Sequence, residues 1–247
     1  MNRTIRRAAC TGLGVAAALA APLAQAQEVG LDVSVGARAW YTEWTTFGYH
    51  PGTDPNLALT QTSGPGQWVT LPTVSLRYGS FFGSLSAFPS TPFEFTDGSA
   101  GKRSESDLNI GYSVLPGLGV TLGYKRIAQR GEVFRYEPKG LVLGVSGTAA
   151  LSGPLSLYGA LGVGRLKTPS DPRPEVVKFD ATYRLTEVGV AYALPSADGM
   201  LVKRWTFTAG HRIQVMRSKD AFTTAAGLSQ DGIDTTQGFT LGVLATF

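Results

Sequence analysis

Cysteine is almost absent from this 247-residue chain: the one copy, Cys10, lies near the start. Thiol catalysis and thiolate metal sites are therefore excluded for everything downstream, and the chain runs no risk of accidental disulfides in an oxidising compartment. Histidine is nearly as scarce, with His50 and His211 only, and nothing sets either beside a serine and a carboxylate. No glycine-rich phosphate cradle opens a helix, and DGID at 231–234 falls far short of a calcium loop. No metal or cofactor is expected. Gly140 to Gly164 is the longest stretch free of charge, yet it holds seven glycines and Pro154. These cost about 1 and 3 kcal/mol each inside a helix, which excludes a membrane helix. Leu141, Leu143 and Val145 keep period two, Ser152-Gly153-Pro154 turns the chain, and Leu155 with Leu157 resumes the alternation, so the stretch is a β-hairpin.

The start of the chain has the pattern of a secretory leader. Arg3, Arg6 and Arg7 precede the small, apolar run Ala8 to Leu23, and Ala24-Gln25-Ala26 supplies an A-x-A cleavage site. The expected organisation is a signal peptide over 1–26 and one domain over 27–247. Arg6-Arg7 also suggests twin-arginine export, but that route carries folded cargo. Without the three leader arginines, Lys and Arg fall from 22 to 19 against 18 Asp and Glu. The basic pI of 9.2 thus belongs mostly to the leader, and nucleic acid is not an expected partner.

The rest divides into ten expected strands, at 29–44, 68–79, 82–94, 106–114, 120–129, 140–151, 155–165, 177–194, 202–216 and 238–247. The connections between them alternate long and short. Val29, Leu31, Val33 and Val35 alternate with Gly30, Asp32, Ser34 and Gly36; Leu108, Ile110 and Tyr112 alternate with Asp107, Asn109 and Gly111. In the eighth strand the apolar parity changes, from Phe179, Ala181, Tyr183 and Leu185 to Val188, Val190, Tyr192 and Leu194. A β-bulge near Thr186-Glu187 is expected to restore it. A similar doubt surrounds Pro72. Tyr78, Tyr112, Tyr192, Trp205 and Phe247 are expected at one rim, and Trp40, Tyr41, Trp44, Trp68 and Phe179 at the other.

The final stretch, GFTLGVLATF, puts Phe239, Leu241, Val243, Ala245 and Phe247 on one parity. Gly238, Thr240, Gly242 and Thr246 fall on the other, and only Leu244 breaks the pattern. An uncharged apolar edge is a liability in water; it makes sense in a strand that closes a barrel and faces lipid. In these residues the chain resembles Gram-negative outer-membrane β-barrel proteins, which typically end in such a strand with a terminal aromatic. The resemblance implies an all-β fold, a transmembrane antiparallel up-and-down barrel of about ten strands, in the cell outer membrane. It also makes Phe239, Leu241, Val243 and Phe247 the signal read by the barrel-assembly machinery. An even strand count puts both termini in the periplasm. The runner-up fold is a secreted soluble β-sandwich.

Asp32, Arg38, Arg77, Asp107, Asn109, Lys125, Asp180, Arg184, Glu187 and Arg212 are expected to line the lumen, with Tyr158 and Gln214. Both signs are present, so they form either an ion-paired plug or a narrow polar conduit for a small solute. Arg126, Arg130, Lys139, Arg165 and Lys167 gather where strands meet the longer loops, with Lys102 and Arg103. There they either contact lipopolysaccharide phosphates or form a solvated rim with Glu105 and Glu137. The expected function is a narrow passive pore or a structural surface barrel. The alternative is an adhesin or receptor acting through outer loops 45–67 and 217–237. An enzyme is not expected. Ten strands resemble the omptin proteases, but the fourth outer loop, LKTPSDPRPEV, lacks their histidine. The His-x-Ser motif of lipid A deacylases is broken by Ile213 in His211-Arg212-Ile213.

Overall fold

The computed structural model describes residues 30–48, 60–131, 135–169, 179–223 and 229–247; the expected leader and His50 lie outside them. The strands in chain order are β1 (Leu31–Gly48), β2 (Thr60–Tyr78), β3 (Phe81–Glu94), β4 (Ala100–Leu115), β5 (Leu118–Gly131) and β6 (Arg135–Tyr136). They continue with β7 (Lys139–Ser152), β8 (Leu155–Lys167), β9 (Ala181–Pro195), β10 (Arg204–Thr223) and β11 (Ser229–Thr246). All but β6, a two-residue strip on β5, wrap into one antiparallel barrel. Its order is β4-β3-β2-β1-β11-β10-β9-β8-β7-β5, and β5 pairs back onto β4. First and last strands zip together from Ser34 opposite Thr246 to Thr45 opposite Thr235. Closure pairs the backbone between strands, which hydrocarbon demands.

One end carries Gly30, Phe247 and the two-residue turns Gly79-Ser80, Pro116-Gly117 and Gly153-Pro154. In these turns glycine takes φ of 55°, 75° and 51°, a conformation that side-chain-bearing residues avoid. We call this the terminal end and its opposite the far end. The strands run further toward the far end than their apolar alternation suggested. β2 has 19 residues and β10 has 20, where a tilted membrane crossing needs about 9–11. The described residues of 45–67 and 217–237 are therefore strand, not loop: β1 continues to Gly48, β2 begins at Thr60, β10 reaches Thr223 and β11 begins at Ser229.

This excess length explains the parity change in β9. Toward the terminal end its outward residues are Val188, Val190, Tyr192 and Leu194, all exposed. Beyond Thr186 the outward residues are Arg184 and Thr182, while Tyr183 and Ala181 are buried in the lumen. The register with β8 and β10 is unbroken across Thr186-Glu187, so the expected bulge does not exist. The backbone keeps its alternation while the medium outside changes. A lipid-facing segment is apolar outward; a segment standing in water is apolar inward, like any soluble barrel. The rim aromatics divide in the same way. Tyr41 and Trp68 pack together outside at 5.3 Å, whereas Trp40, Trp44 and Phe179 are inside and fully buried. At the terminal end Tyr78, Tyr112, Tyr192 and Trp205 are exposed as expected.

Two apolar clusters fill the far half of the lumen. Trp40, Trp44, Val69, Leu71, Phe88, Phe93 and Phe95 form one; Ile127, Tyr136, Leu166, Phe179, Ala181, Tyr183 and Met216 form the other. Each large side chain buried contributes roughly 1.5–3 kcal/mol.

The wall has one weak seam. The β2–β3 ladder runs only from Thr73 opposite Ser86 to Tyr78 opposite Phe81. Past it stand Pro72, Pro89 and Pro92, none of which has an N–H to give. The real register shift in β2 falls at Gly64–Gln67, opposite Thr42 and Trp44, and not at Pro72. Gln67 Nε2 donates to the Pro92 carbonyl at 2.7 Å, and Thr96 N–H to that of Ser63 at 2.9 Å, in place of ladder bonds. In hydrogen exchange, amides of 66–71 and 87–93 are expected to exchange before those of the β7–β8 hairpin. Equal protection would show that the seam is as tightly paired as the rest.

Candidate functional site: the lumen and the outer wall

The inward faces of six strands bring eight charges into one continuous chain through the lumen. It starts at Asp234 on β11, which is 1% exposed. Its Oδ1 accepts Arg103 Nη1 at 2.8 Å, and its Oδ2 accepts Trp44 Nε1 at 2.7 Å, Gln129 Nε2 at 2.8 Å and the Tyr136 hydroxyl at 3.2 Å. Four donors converge on one carboxylate, three of them on Oδ2. Arg103 also grips Glu105 Oε1 through Nε at 2.7 Å and Nη2 at 2.6 Å, and its guanidinium lies over the Trp44 ring. Glu105 Oε2 accepts Lys125 Nζ at 2.6 Å, which donates on to Asp107 at 2.9 Å. Arg212 stands 4.0 Å from Asp107 and donates to Glu187 Oε2 at 3.0 Å. Arg38 closes the chain: its Nη1 is 2.7 Å from Glu187 Oε1, while the hydrogen bond itself goes to Oε2 at 3.0 Å.

Four cations and four carboxylates thus balance. Burying an ion costs several kcal/mol unless its bonds are complete, and along Arg103, Glu105, Lys125 and Asp234 they are. The strand pattern explains the placement. Arg103, Glu105, Asp107 and Asn109 share one face of β4, and Lys125 and Gln129 share one face of β5.

Of the residues expected in the lumen, Arg38, Asp107, Asn109, Lys125, Glu187 and Arg212 are inside, as are Tyr158 and Gln214. Arg77 is inside near the terminal mouth, over the Phe82 ring. Asp32 sits at the terminal rim, 3.2 Å from Lys203. Asp180 and Arg184 are corrections: both lie on the outer wall. Arg184 stands opposite Val163, itself an exposed outward residue, because the parity of β9 never shifts. Sequence reasoning missed Arg103, Glu105, Gln129 and Asp234 as lumen groups. It put Arg103 and Glu105 at the rim and Asp234 in a loop. The available signal was the parity of 103, 105 and 107, continued past the last apolar residue.

Below the charged chain the lumen opens into a chamber of about 1100 Å³, lined by Arg38, Asp107, Lys125, Glu187 and Arg212 at its roof and by Ser and Thr residues along its walls. At this roof Arg212 Nε is buried without a hydrogen-bond partner, and the Tyr158 hydroxyl lies beside Glu187 and Thr240. On the outer wall, Arg126, Arg130, Lys139, Arg165 and Lys167 all point outward and are exposed. His211 is also outside, edge-on to Phe239 at 5.2 Å. In β11, Phe239, Leu241 and Val243 face outward, and Phe247 exchanges backbone hydrogen bonds with Val33.

No family model matches the chain, and no curated protein does. Among solved structures, the OmpT outer membrane protease from Escherichia coli is 12% identical over 88% of this chain and 96% of that one, with a TM-score of 0.49. The translocator domain of the autotransporter NalP from Neisseria meningitidis is 12% identical, covering 88% of each chain, at 0.34. A Pseudomonas aeruginosa FadL homologue is 9% identical over 88% and 90%, at 0.36. The activities of these proteins do not carry over to this chain.

Proposed function

We propose that this closed barrel of outer-membrane type is a structural, surface-exposed envelope protein whose lumen is sealed, with both termini in the periplasm. The observation that supports this is the burial of Trp40, Arg103, Lys125, Gln129, Tyr136 and Asp234, each no more than 1% exposed. They stack an ion-pair chain and two apolar clusters across the passage. A continuous conduit needs solvated walls, and these walls are dry. Purified protein in planar bilayers is expected to give no stepwise conductance. Steps from the wild-type chain would overturn the sealed reading.

A second reading rests on the chamber. It is open at the terminal end, and its roof leaves Arg212 Nε unpaired. A small polar solute entering from the periplasm would find its hydrogen-bonding groups there. For the 45–67 and 217–237 segments, a partner-binding role would draw on the outward faces of the strand ends described above.

A further inference from the structure

The β2–β3 ladder has six rungs, where every other ladder of the barrel wall has nine or more. Its last rung toward the far end is Thr73 opposite Ser86. Past it the two strands run on without pairing. They are tied again where Gln67 Nε2 donates to the Pro92 carbonyl and the Thr96 N–H to that of Ser63. The unpaired stretch is thus a slit in the wall, closed at both ends.

Its depth is that of hydrocarbon. On β2 the exposed outward residues Trp68 and Val74 bracket it, with Thr70 and Pro72 outward between them. On β3 the exposed Leu85 lies just before it. Unpaired backbone is costly at this depth, and the sequence lessens the cost by removing donors. Pro72 and Pro89 stand on the two facing strands, and neither has an N–H. A wall with no other task would carry residues that extend the ladder.

Behind the slit an apolar surface meets a polar one. Leu71 and Phe88 face inward, nearly buried, in the cluster with Trp40 and Val69. Leu71 also lines the chamber, as do Thr73 and Ser86 of the last rung. Arg38, at the chamber roof, is the cross-strand partner of Leu71. Its side chain is 27% exposed, that of its partner Glu187 only 5%. A group arriving from the slit therefore meets a guanidinium before that carboxylate. The more open roof carboxylate, Asp107, is already held by Lys125 through both oxygens.

We propose that slit and chamber together bind a single-chain anionic amphiphile, a fatty acid or a lysophospholipid, taken sideways from the membrane. Its head lies under Arg38 among the hydroxyls of Thr73, Ser84 and Ser86, and its chain leaves past Leu71 and Phe88. Arginine pairs with carboxylate or phosphate through charge-assisted hydrogen bonds. An alkyl chain asks for no hydrogen bonds in a gap whose prolines offer no donors. A wholly polar solute would have no use for the slit, and a wholly apolar one none for Arg38. The gap between two neighbouring strands admits one chain. The amphiphile stays on the terminal side of the ion-pair chain, so an occupied slit and a sealed lumen are independent of each other.

The test is photolabelling of the full chain, folded in detergent micelles, with a palmitic acid that carries a diazirine at mid-chain, followed by peptide mapping. Labels are expected on Leu71 and Phe88, inward residues that belt lipid does not reach. A hexadecyltrimethylammonium probe with the same diazirine should label only outward residues such as Leu143 and Leu161. Arg38→Gln should lower labelling of Leu71 and Phe88 about tenfold, with unchanged heat-dependent gel mobility. Unlabelled palmitate and lysophosphatidylglycerol, added separately, tell a carboxylate head from a phosphate head by which one displaces the probe; displacement by neither would overturn the site. So would labels on the outward belt alone, equal labelling of Leu71 by the cationic probe, or full labelling of a folded Arg38→Gln chain. Labels confined to the chamber mouth at Arg77 and Phe82 would overturn the sideways route. Labelling in micelles depends neither on which end faces outward nor on whether the lumen conducts, so a failure here and a failure of the sealed-barrel reading are separately visible.

Discussion

Replacing Asp234 with alanine is expected to remove about 3–5 kcal/mol of stability, the usual cost of leaving a buried charge without its partner. The substitution strips Arg103 of one of its two carboxylates and leaves Trp44 Nε1, Gln129 Nε2 and the Tyr136 hydroxyl without their common acceptor. None of these groups has water to turn to, since all are at most 2% exposed. Arg103 would then rest on Glu105 alone, which Lys125 already shares. The readouts are the denaturant midpoint of the detergent-folded protein and the temperature at which its compact gel form is lost. Asp231→Ala is the internal control. That residue lies three positions away on the same strand and faces outward to Arg217, where an exposed ion pair contributes little. Comparable losses from the two would mean that the lumen is wet and the ion-pair chain is incidental.

Leu241→Arg is expected to be the most damaging change on the outer wall. Leu241 is 52% exposed on β11, opposite Ala39 on β1 and Ala209 on β10, well inside the apolar belt. A guanidinium at that depth costs about 2–4 kcal/mol, falling to 0–1 near the interface. Gln237→Arg, outward on the same strand but beyond Phe239, should therefore be tolerated. The same strand must satisfy β10 and β1 at once, so its failure leaves the barrel open along two ladders. We propose that Phe239, Leu241, Val243 and Phe247 also form the face read during assembly. Membrane fractionation and heat-dependent mobility should show Leu241→Arg unassembled and Gln237→Arg folded. Equal assembly of both would mean that the face does not meet hydrocarbon.

Much of this architecture was legible before any coordinates. Leu141 to Leu157 reads as a hairpin because glycine and proline forbid the helix, and the structure turns there at Gly153-Pro154. GFTLGVLATF reads as a closing strand because an apolar edge needs a partner and a solvent of its own kind. The misreadings share one cause. Alternation was followed only while the apolar residues stayed on one parity, so β2, β10 and β11 were cut short and Asp234 was left in a loop. In β9 the same assumption produced a bulge that is not there, and turned Asp180 and Arg184 inward. The ion-pair chain was out of reach for a related reason: Asp234, Arg103 and Glu187 are far apart in sequence and meet only because the barrel closes.

By itself, the sequence determined that this chain forms strands, about where they turn, and that the last of them needs the first. Period two and turn chemistry are local properties, and local residues suffice to specify them. Which face of each strand looks at lipid, at water or at the lumen was decided only by the tertiary structure. A strand's alternation is the same in any medium, and only the closed wall, taller than the bilayer it crosses, assigns a medium to each side.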